Sequence, residues 1–183
     1  MVAQIKIDLD IFQLVFEVIT KSENAYTMAN QLTQVLVGAL GIKGATIFVL
    51  NPEIEELEIL ASSGLSINYV NKGPVLVDKS IKLPSNREPV IITDVTTSER
   101  LQYPEKAKEE KIRAIVSLPI TLHGKIVGAL RLYHSQVWDI SERDIEHLKV
   151  VAQNIGVALM YFRLANAVLS VKETVGEVHS VWL

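Results

Sequence analysis

Ala114-Ile-Val-Ser-Leu-Pro-Ile-Thr121 and Ile126-Val-Gly-Ala-Leu-Arg-Leu-Tyr133, separated by Leu122-His-Gly-Lys125, decide the fold. Both runs are rich in β-formers, and His123-Gly124 supplies two residues that tolerate positive φ, so the stretch reads as a tight β-hairpin. Apolar side chains occupy odd and even positions alike, so the sheet containing this hairpin needs cover on both faces. Upstream, residues 45–50 form a second β-rich run. Asn51-Pro52-Glu53 gives a turn, and Leu57, Ile59 and Ala61 then alternate with Glu56 and Glu58. This is a second hairpin, with one strand half exposed.

Working outward, helical periodicity appears at both ends of the chain. Ile11, Leu14, Val15, Val18 and Ile19 recur at three and four within residues 8–19. Met28, Ala29, Leu32, Val35, Leu36, Ala39 and Leu40 share a face of a second helix, which Gly41 can terminate. Ser141 followed by Asp144 resembles a capping box opening a proline-free run of roughly 32 residues, about 48 Å if all helical. Between the hairpins, residues 62–111 hold Gly64, Gly73, Pro74, Pro84, Pro89 and Pro104 around short apolar pieces at 75–77 and 90–95, with a short helix expected after Pro104. This order predicts an α+β fold: a central antiparallel β-sheet with N- and C-terminal helices on one face and loops and short helices on the other.

The 183 residues are 49% hydrophobic, with no cysteine and a net charge of -3. A chain of this size buries roughly 70% of its extended surface, so a sizeable core is expected and global disorder is excluded. Without cysteine there is no disulfide framework, thiolate nucleophile or zinc-thiolate site, and a cytoplasmic location is expected. No polybasic stripe offers itself to nucleic acid or anionic lipid. The longest unbroken apolar run, residues 155–162, is far short of the ~20 residues that span a bilayer, and the first residues show no signal core. Neither nucleic acid nor membrane is expected as a partner.

Few motifs carry chemistry. The glycines at 38, 41 and 44 close a helix, whereas phosphate cradles sit at helix starts, and no P-loop or G-x-S-x-G elbow occurs. The four histidines lie on separate elements without ligand spacing, so no metal is expected, and His147 reads as part of a solvated helix face. Arg131 is the exception, a guanidinium in a strand covered on both sides. It either snorkels past an edge of the sheet or needs an anion, which Asp78, Asp94 or a bound ligand can supply. A two-residue turn makes Arg131 oppose Val116 and share a face with Ala114, Leu118 and Tyr133, with Ser117 and Leu130 pointing the other way. Tyr69, Asp78, Arg87, Asp94, Arg100, Tyr103 and Arg113 gather near turns of the middle segment, where such groups can orient a small polar ligand or merely decorate a lid. On the last helix, Ile145, Leu148, Ala152, Ile155, Leu159, Phe162, Asn166 and Leu169 alternate three and four, a seam suited to pairing with a second copy or to folding back on its own domain.

Gly64-Leu65-Ser66, Lys72-Gly73-Pro74-Val75, residues 88–95, Gln102-Tyr103-Pro104, Ile112-Arg113, Ser117-Leu118-Pro119-Ile120 and residues 124–130 follow one another over about residues 25–162, and in that order they together resemble the GAF family of small-molecule-binding sensory domains. The resemblance implies residues 1–23 as an N-terminal helix for packing or dimerisation, 24–162 as a GAF-like domain, and 163–183 as a helical extension and tail. It implies a ligand between the sheet and the loop-rich middle, with candidate contacts Tyr69, Asp94, Arg100, Tyr103, Val116, Leu118, Arg131 and Tyr133. It also implies signalling through flanking helices of a homodimer, with candidate interface residues Ile11, Leu14, Val18, Ile155, Leu159, Phe162, Asn166 and Leu169. The expected function is therefore a non-enzymatic sensory module for a small polar or anionic ligand, its cofactor unknown. A structural dimerisation or protein-interaction module with a collapsed pocket is the alternative. Asn71-Lys72 is like the pair found in cyclic-nucleotide binders, but no Phe lies between Phe48 and Phe162 and no Asp-Glu pair occurs, which disfavours such ligands. The family's free-methionine-sulfoxide reductases and covalent bilin binders depend on cysteine, which is absent. Lys111 stands where a glycine is common. No kinase, cyclase or helix-turn-helix segment is recognisable, so a downstream signalling protein is a further expected partner.

Overall fold

The computed structural model describes residues 2–3, 7–76 and 88–181, with side chains over 7–76 and 88–172. Its centre is a five-stranded antiparallel sheet of β2 (Gly44–Asn51), β3 (Glu56–Ser63), β4 (Val90–Ile92), β5 (Ala114–Leu122) and β6 (Lys125–His134), in the order β3-β2-β6-β5-β4. Both expected hairpins are present. His123 and Gly124 adopt φ of 47° and 72°, the left-handed pair that a two-residue hairpin turn requires. Each hairpin also contains a β-bulge. Leu60 is the extra residue where Ile47 faces Ala61 but Phe48 faces Ile59. Val127 is the extra residue where Thr121 faces Ile126 but Ile120 faces Gly128.

The second bulge corrects the expected register. Beyond it Arg131 opposes Ser117 rather than Val116, and Tyr133 opposes Ile115. Because side chains alternate, this one-residue slip exchanges the faces of β5. Ser117 joins Arg131 and Tyr133, while Val116 and Leu118 turn to the opposite side.

That opposite side is the helix side. Helices α1 (Leu9–Lys21), α2 (Ala25–Leu40) and α5 (Glu142–Val181) gather there, and Val116, Leu118, Ile120, Leu130 and Leu132 pack with Leu32, Leu36, Leu148 and Ile155 in one core. Asn24 caps α2 by accepting a hydrogen bond from the Thr27 amide (2.9 Å), and Gly41 ends it at φ 61°. The Ser141 hydroxyl accepts from the Asp144 amide (3.1 Å) and donates to its carboxylate (2.5 Å), opening α5 as its sequence suggests. The helix runs 40 residues, about 60 Å. Over residues 142–172 it is long and apolar enough, by length and composition, to cross a membrane. Ile145, Leu148, Val151, Ala152, Ile155 and Phe162 are buried in the domain's own core, whereas Val150, Val157, Tyr161, Leu164, Val168, Leu169 and Val171 are exposed.

Two features at the chain start lie outside the sequence reading. β1 (Val2–Ala3) pairs in parallel with β7 (Val137–Trp138). The Ile7 amide donates to Asp144 (2.9 Å), and His147 Nδ1 donates to the Ile7 carbonyl (2.5 Å). His147 also meets Phe12 edge-on at 5.5 Å. It is a half-buried clasp, not part of a solvated face.

On the other side of the sheet lie α3 (Ile67–Val70), α4 (Pro104–Glu109) and irregular chain. Here Tyr69, Val90, Ile92, Val95, Ala107, Ile112, Ile115 and Tyr133 form one apolar cluster, and Phe48, Leu57, Val75 and Ala129 another. Asp78, Arg87 and Val77 lie outside the described residues.

Candidate functional site

The site is built on the β2-β6-β5 face opposite the helices. Arg131, with Thr46 and Ser117 beside it across the two ladders, forms the floor and is 4% exposed. Its guanidinium stacks over the Phe48 ring, 5.0 Å from the centroid, an interaction that favours a cation out of water. Two residues on, Tyr133 is fully buried. Its hydroxyl lies near Thr46 and Arg131, without a well-formed hydrogen bond to any described residue. The Ser117 hydroxyl, 1% exposed, likewise has no partner among the described residues.

The roof comes from residues 66–76 and 101–103. Ser66 caps α3 by accepting from the Tyr69 amide (3.2 Å), and is itself held by Glu110, which also pairs with Lys43 at 3.2 Å. This fixes Tyr69 edge-on against Tyr133, centroids 5.8 Å apart. Gly73 (φ 128°) then swings the chain under Tyr103, whose hydroxyl would lie 2.7 Å from any Cβ placed there. The Tyr103 hydroxyl donates to the Pro74 carbonyl (2.9 Å), and Gln102 Nε2 donates to the same oxygen (3.0 Å). Roof and loop are thereby latched. Tyr69, Lys72, Val75, Leu101, Gln102, Tyr103, Ile115 and Arg131 enclose a hollow of about 20 Å³, room for about one water.

Two cations face this hollow. Lys72 Nζ lies 4.1 Å from the Tyr69 ring centroid and donates to the Tyr69 carbonyl (3.1 Å). Burial, with the nearby Arg131 charge adding to it, lowers its pKa to about 8. Burial pushes the Tyr69 phenol well up, reinforced by Tyr133 and opposed by Arg131. It raises Tyr133 likewise, against Arg131 and Thr46. Both phenols are neutral donors at any ordinary pH. The arrangement offers cations and hydroxyls to an anion.

The eight candidate contacts separate. Tyr69, Tyr103 and Arg131 line the hollow, and Tyr133 packs beneath Tyr69. Asp94 and Arg100 border a different depression beside β4. Asp94 accepts from Thr96 (hydroxyl 2.7 Å, amide 2.9 Å) and pairs with Arg113 at 2.7 Å, which together hold its pKa near 2. Val116 and Leu118 are core residues under the helices, moved there by the bulge. Lys72, Gln102 and Ser117 were not among the candidates. Lys72 is legible only within the stretches Asn71-Lys72 and Lys72-Gly73-Pro74-Val75, and the expected register turns Ser117 away from Arg131, whereas the bulge puts the two on one face. Lys111 does adopt the left-handed conformation of the glycine it replaces, at φ 58°.

The interface candidates also divide. Ile11, Ile155 and Phe162 are buried in their own domain, with Val18 and Leu159 packed against that core. Leu14, Asn166 and Leu169 are exposed. A different stripe faces outward: Val150, Asn154, Val157, Tyr161, Leu164, Val168 and Val171 alternate four and three over three heptads, and all but the half-buried Asn154 are exposed.

Comparison with known proteins agrees with this architecture. The GAF domain from a phosphoenolpyruvate-protein phosphotransferase of Coxiella burnetii superposes with a TM-score of 0.76 at 17% identity, covering 87% of this chain and 96% of that one. Its Acinetobacter counterpart gives 0.73 at 16% identity over 87% and 96%. Free methionine-R-sulfoxide reductase from Neisseria meningitidis, solved with its substrate, gives 0.71 at 14% identity over 90% and 99%. No curated protein matches the sequence. The profile of the GAF domain matches residues 25–159, the span from the start of α2 to the middle of α5 that contains the whole sheet and its roof, and the chain belongs to the GAF domain family.

Proposed function

We propose that this chain is a non-catalytic sensory module of the cytoplasm that admits a small anion beneath the Tyr103–Pro74 latch and conveys its presence through paired α5 helices of a homodimer to a downstream signalling protein. GAF domains are generally sensory or regulatory small-molecule-binding modules. The observation that carries the reading here is Lys72, a lysine held beside Arg131 where burial disfavours its charge, facing a hollow with aromatic walls. A group retained at such a cost to its charged form is characteristic of binding sites. An anion beside Lys72 favours the ammonium and turns that cost into affinity.

The size of the hollow favours a second reading, a structural dimerisation module whose pocket is filled by its own side chains. About 20 Å³ holds no metabolite unless the latch opens. Thermal melts against inorganic phosphate, succinate and a nucleoside monophosphate separate the two. A ligand raises stability by RT ln(1 + [L]/Kd). The sensory reading expects at least one of these anions to stabilise the protein, Lys72→Met to abolish the effect, and the effect to weaken as pH rises through about 8. No shift at millimolar concentration, or an equal shift in Lys72→Met, leaves the structural reading.

A further inference from the structure

On the helix side of the sheet, where the tips of both hairpins meet α5, there is an open groove of about 770 Å³, within the ~300–1,000 Å³ typical of small-molecule sites. It is separate from the hollow, which lies on the other face. Its walls are Leu60, Leu122 and Val127 from the strands and Leu159 and Met160 from α5. Leu60 and Val127 are the extra residues of the two β-bulges. A bulge re-aims a side chain that a regular ladder would place elsewhere. Here two separate bulges each bring an apolar side chain to the same groove, and methionine supplies a wall that adapts to its contents.

Two cations and one carboxylate stand at the rim. Lys125 and Arg163 border the groove, both are exposed, and neither forms an ion pair among the described residues. The one carboxylate at the rim, Glu58, accepts a hydrogen bond from Asn51 Nδ2 (2.8 Å). An occupant that satisfies both parts has an apolar body and an anionic head. Leu159 and Arg163, one turn apart, lie on a different face of α5 from the Val157–Leu164 stripe, so pairing through that stripe leaves the groove open.

We propose that this groove binds a free amphiphilic carboxylate, with its hydrocarbon chain against Leu60, Val127 and Leu159 and its carboxylate between Lys125 and Arg163. Calorimetric titration of the full chain with dodecanoate, below its aggregation concentration, tests this. The expected result is one-site saturation, with dodecanol binding at least about tenfold more weakly because it lacks the charge. A K125E/R163E double variant, both positions being exposed, melts like the wild type and loses about tenfold in dodecanoate affinity. Lys72→Met, in the hollow, leaves it unchanged. Non-saturating uptake, equal affinity for dodecanol, an unaltered K125E/R163E titration, or association only with phosphatidylglycerol vesicles overturns the proposal.

Discussion

Lys72 shows most directly how a residue's surroundings become a measurable property. Its pKa falls from 10.5 in the unfolded chain to about 8 in the fold. Below pH 8 both states carry the proton, and the fold bears the full cost of holding the charge in partial burial. Between about pH 8 and 10.5 the unfolded chain keeps a proton that the folded one has released, so stability rises with pH across that window. Lys72→Met removes the titration. Denaturant unfolding at several pH values should therefore find the variant at least as stable as the wild type at pH 7, with its advantage shrinking toward pH 10.5. A constant difference across that range means that Lys72 does not titrate in the hollow. Lys72 is also a residue that the sequence half disclosed. Its pairing with Asn71 was visible, but its burial depends on a roof whose path is set by Gly73 and the Tyr103–Pro74 hydrogen bond, and neither contact is local. Asp94 shows the converse: an acidic residue at a turn suggested ligand contact, yet Thr96, two residues away, and Arg113 take up its carboxylate.

At the scale of elements, turn chemistry and periodicity were readable and register was not. His123-Gly124 announced its own backbone conformation because positive φ is a local preference. The bulge at Val127 has a weaker signature: Gly128, where a Cβ would lie 2.2 Å from the Phe48 carbonyl oxygen, marks a bulge or close approach, but a strand glycine does not fix which residue is extra until β2 and β5 are both in place. The slip then moved Val116, Leu118 and Ser117 to the faces opposite those expected. In α5 the difficulty was an excess of signal. The heptad frame Ile155-Leu159-Phe162 is a regular repeat, but it faces the domain's own core, and Val157-Tyr161-Leu164-Val168 repeats equally well on the outside. Paired substitutions distinguish the two stripes. Phe162→Ala empties a buried site and should cost about 3–5 kcal/mol in unfolding experiments. A V157E/L164E double variant should keep the domain's melting transition while shifting sedimentation from dimer to monomer. A monomeric wild type, or a double variant as associated as the wild type, removes the outer stripe from the interface.

In the whole molecule, hollow and helix are separated by a single sheet. Ser117 lies with Arg131 on the hollow's side of the sheet, and its neighbours Val116 and Leu118 face the core that contains Ile155. At Gly156 the helix comes so close that a Cβ would lie 2.9 Å from Ile120 Cγ2, a contact through which a displacement of β5 would press on α5. Coupling between two sites is a free energy and must be reciprocal. If an anion that binds the hollow tightens helix pairing by some factor, the dimer must bind that anion more tightly than the monomer by a corresponding factor. Should the wild type be a dimer and V157E/L164E, altered only on the outer face of α5, a monomer, the pair makes this measurable. Once an anion has been found, its affinity should be lower for the monomer than for the wild-type dimer, typically about 5-fold or more. The wild-type dimer dissociation constant should fall correspondingly when the anion is saturating. Equal affinity in monomer and dimer, with the anion still dependent on Lys72, means a pocket that binds without reporting to α5. The signal would then have to leave through the roof, whose α3 is tied to the rest of the fold by Ser66 and Glu110.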